Sequence, residues 1–179
     1  MKQHAISLFK RASRFLLYTS MHRTLMFAPL AFKITRREET VVSRTKIRVL
    51  AADTDAVEIV YYATYFRYFE IGRSEWFREH DKPFTHYTAQ DMYLIVTEAH
   101  CRYVKPARYD DLIEVECRLG YLDRLKLRFD YRIVSEAGEL IADGYTWHVA
   151  VSKSGRVRRF PREIVDRLGG LVSCEGSDG

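Results

Sequence analysis

Cysteine is scarce in this chain. Its 179 residues include three, Cys101, Cys117 and Cys174. That is too few for a disulfide scaffold, and no pair has the spacing of a zinc site. Only four prolines and nine glycines occur, so collagen-like and low-complexity chains are excluded. Long apolar runs are missing as well. Residues 15–18 and 25–32 are the longest in the N-terminal stretch, and His22, Arg23 and Pro29 interrupt any span near the roughly 20 residues a membrane helix needs. No GxGxxG, Walker, GxSxG or HExxH motif is present. The six histidines have no metal-ligand spacing, so no metal site is expected.

What is there is a soluble globular composition, 47% hydrophobic and 30% charged, in a length that suits about one domain. The net charge of +5 is unevenly placed. Residues 1–37 carry Lys2, Lys10, Arg11, Arg14, Arg23, Lys33, Arg36 and Arg37 and no acidic group. The rest of the chain is therefore mildly acidic, and a nucleic-acid partner is not expected. The expected division is a basic amphipathic extension over residues 1–40, a folded domain over 41–169 and a flexible tail over 170–179. The extension fits an organelle transit peptide if the source is eukaryotic. It also fits peripheral contact with an anionic membrane, an extra ordered helix, or a true start at Met21 or Met26. Otherwise a cytoplasmic protein is expected.

Alternation and β-branched residues predict a strand over residues 45–51. Residues 61–80 read as one long helix with Tyr62, Tyr65, Phe66, Phe69, Trp76, Phe77 and His80 on one face. Gly72 inside it signals close packing. Strand-like runs follow over 92–104, 112–121, 125–135 and 140–151, with short turns between them that predict an antiparallel meander. A short strand over 157–160 and a helix over 162–168, opened by Pro161, complete the pattern. One amphipathic helix beside several strands must bury its aromatic stripe on the sheet. The fold class is therefore α+β, an antiparallel sheet curled around one long central helix.

The chemistry concentrates in residues 53–76, DTDAVEIVYYATYFRYFEIGRSEW. Asp53 and Asp55 precede the helix, whose first N–H groups and positive dipole end can stabilise an oxyanion. A carboxylate there can act as base or nucleophile, and the two parts together suit acyl transfer. On spacing alone, Asp53 and Asp55 are equally readable as loop and capping residues, and Glu70 as an ion-pair partner of Arg73.

This block resembles the 4-hydroxybenzoyl-CoA thioesterase family of hotdog-fold acyl-CoA thioesterases, and their Tol–Pal-associated short-chain type. The resemblance lies in Asp53-Thr54-Asp55, Val60-Tyr61-Tyr62-Ala63, Tyr65 and Glu70. It continues in KPARYDDLIEVE from Lys105 and in Arg159-Phe160-Pro161, and covers about residues 44–168. It implies the hotdog fold and hydrolysis of an acyl-CoA thioester, short-chain or aromatic. It implies Asp55 as the catalytic carboxylate, as base or as nucleophile, and the Tyr62 backbone N–H as the donor polarising the thioester carbonyl. Glu70 is a supporting acid and the second candidate base. Glu58 stands where the family has glycine, beside the substrate. Tyr65 matches the family's helix tyrosine and is counted with the substrate-binding residues. Basic residues on late turns, Arg124, Arg156, Arg158 and Arg159, are candidates for the CoA phosphates. No cofactor is implied beyond CoA as part of the substrate. A homodimer or homotetramer is implied. An acyl carrier protein as substrate carrier and a non-catalytic thioester-binding protein remain as alternatives, whereas a hydratase lacks its histidine within residues 53–78.

Overall fold

The computed structural model describes residues 41–172. The basic extension, Cys174 and most of the expected tail lie outside the described residues. Strand β1 (Ser43–Arg48) is followed by a single 3₁₀ turn at Ala51–Asp53, then helix α1 (Thr64–His80) and the short helix α2 (Phe84–Thr88). Strands β2 (Tyr93–Tyr103), β3 (Leu112–Leu122), β4 (Lys126–Ser135), β5 (Leu140–Val151) and β6 (Val157–Arg158) come next, and helix α3 (Arg162–Gly169) closes the domain.

Strict alternation makes the sheet two-faced. In β3, Ile113, Val115, Cys117 and Leu119 are buried, and Leu127, Phe129, Tyr131 and Ile133 do the same in β4. Helix α1 lays Tyr65, Tyr68, Phe69, Gly72, Trp76 and Phe77 on that inner face. Phe69 stacks on Tyr131 with ring centroids 4.3 Å apart, and Trp76 meets Phe129 edge-on at 5.2 Å. The aromatic stripe is thus mostly core, as its spacing predicts, with Phe66 and His80 half-buried at its margins. Tyr68 is buried, whereas Tyr62 lies before the helix and is exposed.

The strand order β1-β3-β4-β5-β2 corrects the simple meander. Only β3, β4, β5 and the short β6, which pairs with the end of β5, run as consecutive neighbours. β2 pairs with β5 through the register Tyr93↔Val151 to Tyr103↔Ala142 and forms the far edge. The reason lies in the link after β2. It is held across the end of the sheet, where the Val60 N–H donates to the Ala107 carbonyl (2.8 Å) and the Val49 N–H to the Asp111 carbonyl (3.0 Å). That crossing delivers β3 to the side of β1.

Gly72 faces its own sheet. A Cβ there would stand 2.7 Å from Val115 Cγ1, closer than real contacts allow. The glycine therefore sets the distance between α1 and β3. Helix α2 has no counterpart in the sequence reading. Its five residues follow Pro83 and bury only Tyr87, too short a pattern for periodicity to reveal.

Candidate active site

Between the 3₁₀ turn and α1 the chain makes a small hairpin. Thr54 bridges Val60, the Asp55 N–H donates to the Ile59 carbonyl (2.9 Å), and the Glu58 N–H donates to the Asp55 carbonyl (3.0 Å). A three-residue hairpin loop of this kind needs a left-handed third residue. Glu58 occupies that place with φ 63°. This is the position at which the resemblance calls for glycine, and the backbone adopts the glycine conformation without one. Glu58 itself is exposed.

The two carboxylates of Asp-Thr-Asp have separate fates. Asp53 is 2% exposed and fully engaged. Its Oδ2 accepts from the Leu50 N–H (3.1 Å) and the Tyr68 hydroxyl (2.9 Å), and its Oδ1 from the Arg67 guanidinium. Its carbonyl accepts from the Tyr61 N–H at 2.9 Å. Burial and the Asp53 carboxylate together push the Tyr68 phenol well above its ordinary range, so it stays a donor. Asp53 therefore ties the 3₁₀ turn to the first turns of α1. Asp55 is half-buried, and only its Oδ1 is engaged, accepting from the Val57 N–H at 2.9 Å. Among the described residues Asp55 Oδ2 has no partner, so a carboxylate oxygen remains for a ligand or water.

Tyr62 lies in the turn before α1, two residues earlier than the helical start. The helix expected from residue 61 begins at Thr64, because the Tyr61 N–H is held by Asp53 and the Tyr61 carbonyl accepts from the Thr64 N–H (2.8 Å). Among the described residues the Tyr62 N–H makes no hydrogen bond. Its carbonyl accepts from the Tyr103 hydroxyl at 3.0 Å. An oxygen-seeking N–H and a partly unpaired carboxylate thus sit on two adjacent turns at one end of the sheet.

Glu70 is exposed on α1 and lines an open groove of about 550 Å³ between β1 and α1, together with Asp53, Arg67 and Ile71. The expected pairing of Glu70 with Arg73 is not seen. Arg73 turns inward and donates to the Tyr131 hydroxyl (3.1 Å). Tyr65, counted with the substrate-binding residues, is buried at 3% exposure with its ring edge-on to Tyr103 at 5.2 Å. Within one protomer it has almost no surface for a ligand. Its place on the inner face of α1 accounts for this. A larger open groove, about 740 Å³, runs over the outer face of the sheet and contains none of the expected site residues.

The basic residues lie elsewhere. Arg124, Arg156 and Arg159 are exposed on turns at the end of the sheet where β2 begins, and Arg158 donates to the Asp91 carbonyl at 2.7 Å. The Asp55 hairpin stands where β2 ends. The 11 residues of β2 separate the two by roughly 30 Å. Within one protomer these arginines do not meet Asp55, and Arg158 is already engaged in fastening a turn. The loop and capping reading of Asp53 fits its place, whereas sequence reading missed one support, Tyr103. The Tyr103 contact spans 41 residues of sequence, which no local pattern signals.

A sequence profile described as the thioesterase-like superfamily matches residues 49–168. An Escherichia coli relative named acyl-CoA thioester hydrolase YbgC is 30% identical over 127 residues, covering 70% of this chain and 95% of the relative. A solved structure of a hypothetical protein from Thermus thermophilus superimposes with a TM-score of 0.70 at 31% identity, over 74% of this chain and 99% of that one. Another, from Aquifex aeolicus, gives a TM-score of 0.66 at 32% identity, over 70% and 98%. A DHNA-CoA thioesterase from Staphylococcus aureus shares the fold, an antiparallel sheet around one long helix, with a TM-score of 0.68 at 24% identity.

Proposed function

The chain belongs to the thioesterase-like superfamily, and on that footing we propose that it hydrolyses an acyl-CoA thioester to the free acid and CoA. The observation that carries this reading is the pairing of Asp55, with one unengaged oxygen, and the unbonded Tyr62 N–H at the head of α1. In the proposed mechanism the thioester carbonyl oxygen accepts from the Tyr62 N–H. Asp55 takes a proton from water, the water oxygen bonds to the carbonyl carbon, and negative charge gathers on the carbonyl oxygen. The positive end of the α1 dipole and the fixed N–H stabilise that charge. As the carbonyl re-forms, the C–S bond breaks and the CoA sulfur leaves, taking up the proton. A positioned base contributes about 10²–10⁴-fold and one oxyanion donor about 10²–10³-fold. Glu70 is the alternative base, facing the groove beside α1.

The same reading includes a homodimer. β2 is an 11-residue edge strand with Ile95 and Val96 about half exposed, an edge that a solitary protomer would leave open to pairing. Twofold pairing along β2 runs the two strands antiparallel. Each Asp55 hairpin then shares an end of the joint sheet with the partner's arginine-bearing turns, which supplies positive charge for CoA phosphates. No helix among the described residues is long and apolar enough to cross a membrane. We assign the enzyme to the cytoplasm, with the basic extension as a candidate membrane contact.

Thiol release from a panel of aliphatic and aromatic acyl-CoAs tests the reading. Turnover of at least one is expected. Binding without turnover across the panel would replace hydrolysis with a thioester-binding role. Turnover confined to acyl carrier protein thioesters would reassign the carrier.

A further inference from the structure

The Tyr62 N–H can serve an oxyanion only if the peptide groups around it hold still. Two contacts hold them. The peptide that carries this N–H also carries the Tyr61 carbonyl, which accepts from the Thr64 N–H at 2.8 Å. The next peptide carries the Tyr62 carbonyl, which accepts from the Tyr103 hydroxyl at 3.0 Å. The first contact belongs to the turn itself. The second comes from another element, the end of β2, where Tyr103 is fixed in register opposite Ala142.

We propose that Tyr103 is a positioning residue for hydrolysis, its hydroxyl clamping the Tyr62 carbonyl so that the Tyr62 N–H stays aimed at the thioester oxygen. The proposal rests on the thioesterase reading above. Three features of the site support it. The Tyr103 ring is braced edge-on against Tyr65 at 5.2 Å, so the hydroxyl is carried on a supported lever. Partial burial and the neighbouring Cys101 thiol push its phenol up to about 12, so it remains protonated and a donor through the physiological range. The Tyr103 hydroxyl is the one side-chain donor on the Tyr62 carbonyl among the described residues. A small tilt of a donor during charge development is costly, since a misplacement near 1 Å can cost about 10²-fold in rate.

Packing alone would explain the ring but not the hydroxyl. Tyr103→Phe keeps the ring and removes only the donor. The expected result is a fall in kcat of about tenfold, a fraction of the loss of a whole oxyanion donor, with KM within about twofold. Affinity for a non-hydrolysable S-alkyl-CoA thioether, which has no carbonyl to polarise, should be unchanged. Tyr87→Phe serves as a control. It removes a phenol–carboxylate contact with Asp81 at the opposite end of α1 and should leave kcat intact. Asp55→Asn is run beside both. An unchanged kcat in Tyr103→Phe, with turnover lost in Asp55→Asn, would overturn the positioning role and leave the thioesterase reading standing. Equal losses in Tyr103→Phe and Tyr87→Phe would reduce Tyr103 to a structural residue. Turnover surviving in Asp55→Asn would overturn the mechanism on which the inference rests.

Discussion

At Glu58 a side chain stands where the hairpin demands a left-handed backbone. The φ of 63° costs an L-residue roughly 1–2 kcal/mol, while glycine gives back about 0.5–1 kcal/mol in unfolded-chain entropy. Glu58→Gly should therefore stabilise the fold by up to about 1 kcal/mol, read as a Tm rise of a few degrees. A lower Tm would show that the Glu58 side chain contributes more than its strain. The residue scale also shows what spacing cannot distinguish. Asp53 and Asp55 are two residues apart and chemically identical. Spacing read both as loop carboxylates, and the choice of Asp55 came from family resemblance. The physical reason appears only in three dimensions, where Arg67, Tyr68 and the Leu50 N–H occupy Asp53 and leave Asp55 half engaged.

At the scale of elements, helix α1 and the inner faces of β3 and β4 were legible because their periods are unbroken over many residues. The start of α1 was not, because Tyr61 and Tyr62 continue the aromatic pattern while their backbone groups answer to Asp53 and Tyr103. The place of β2 was hidden for a related reason. Its partner is decided by a link that crosses the sheet end, and alternation says nothing about neighbours. Gly72 reads as a close-packing site, and the surface it packs against within the protomer is Val115 of β3. Gly72→Ala should lose about 1–2 kcal/mol, since overpacking against a buried valine outweighs the roughly 1 kcal/mol gain in helix propensity. Val115→Ala should recover part of that loss in a double-mutant cycle measured by urea unfolding. Simple additivity of the two would remove Gly72 from the helix–sheet spacing.

For the whole molecule, acid stability turns on a buried histidine. His148 is 1% exposed, its Nε2 paired with Thr146 Oγ1 at 2.7 Å, and burial with the nearby Arg73 charge lowers its pKa to about 3. Its folded value lies below the unfolded value near 6.5, so the unfolded chain binds the proton more readily. The stabilisation is full above about pH 6.5 and is lost as pH falls toward 3. At pH 5 the loss is about 2 kcal/mol. Urea unfolding at pH 7 and pH 5 should show that drop in the wild type and a smaller one in His148→Phe. An equal drop in both would assign the acid sensitivity to other groups. At the same scale, sedimentation at micromolar concentration should give a dimer joined along β2, and a monomer would remove the proposed route by which the arginines reach a site.

The most direct test compares initial rates of thiol release for wild type, Asp55→Asn and Glu70→Gln on the best acyl-CoA substrate, with folding checked by thermal melting. The mechanism predicts a loss of about 10²-fold or more in Asp55→Asn and a much smaller loss in Glu70→Gln. A folded Asp55→Asn that keeps wild-type turnover, with Glu70→Gln inactive, would contradict the assignment and move the chemistry to the groove beside α1.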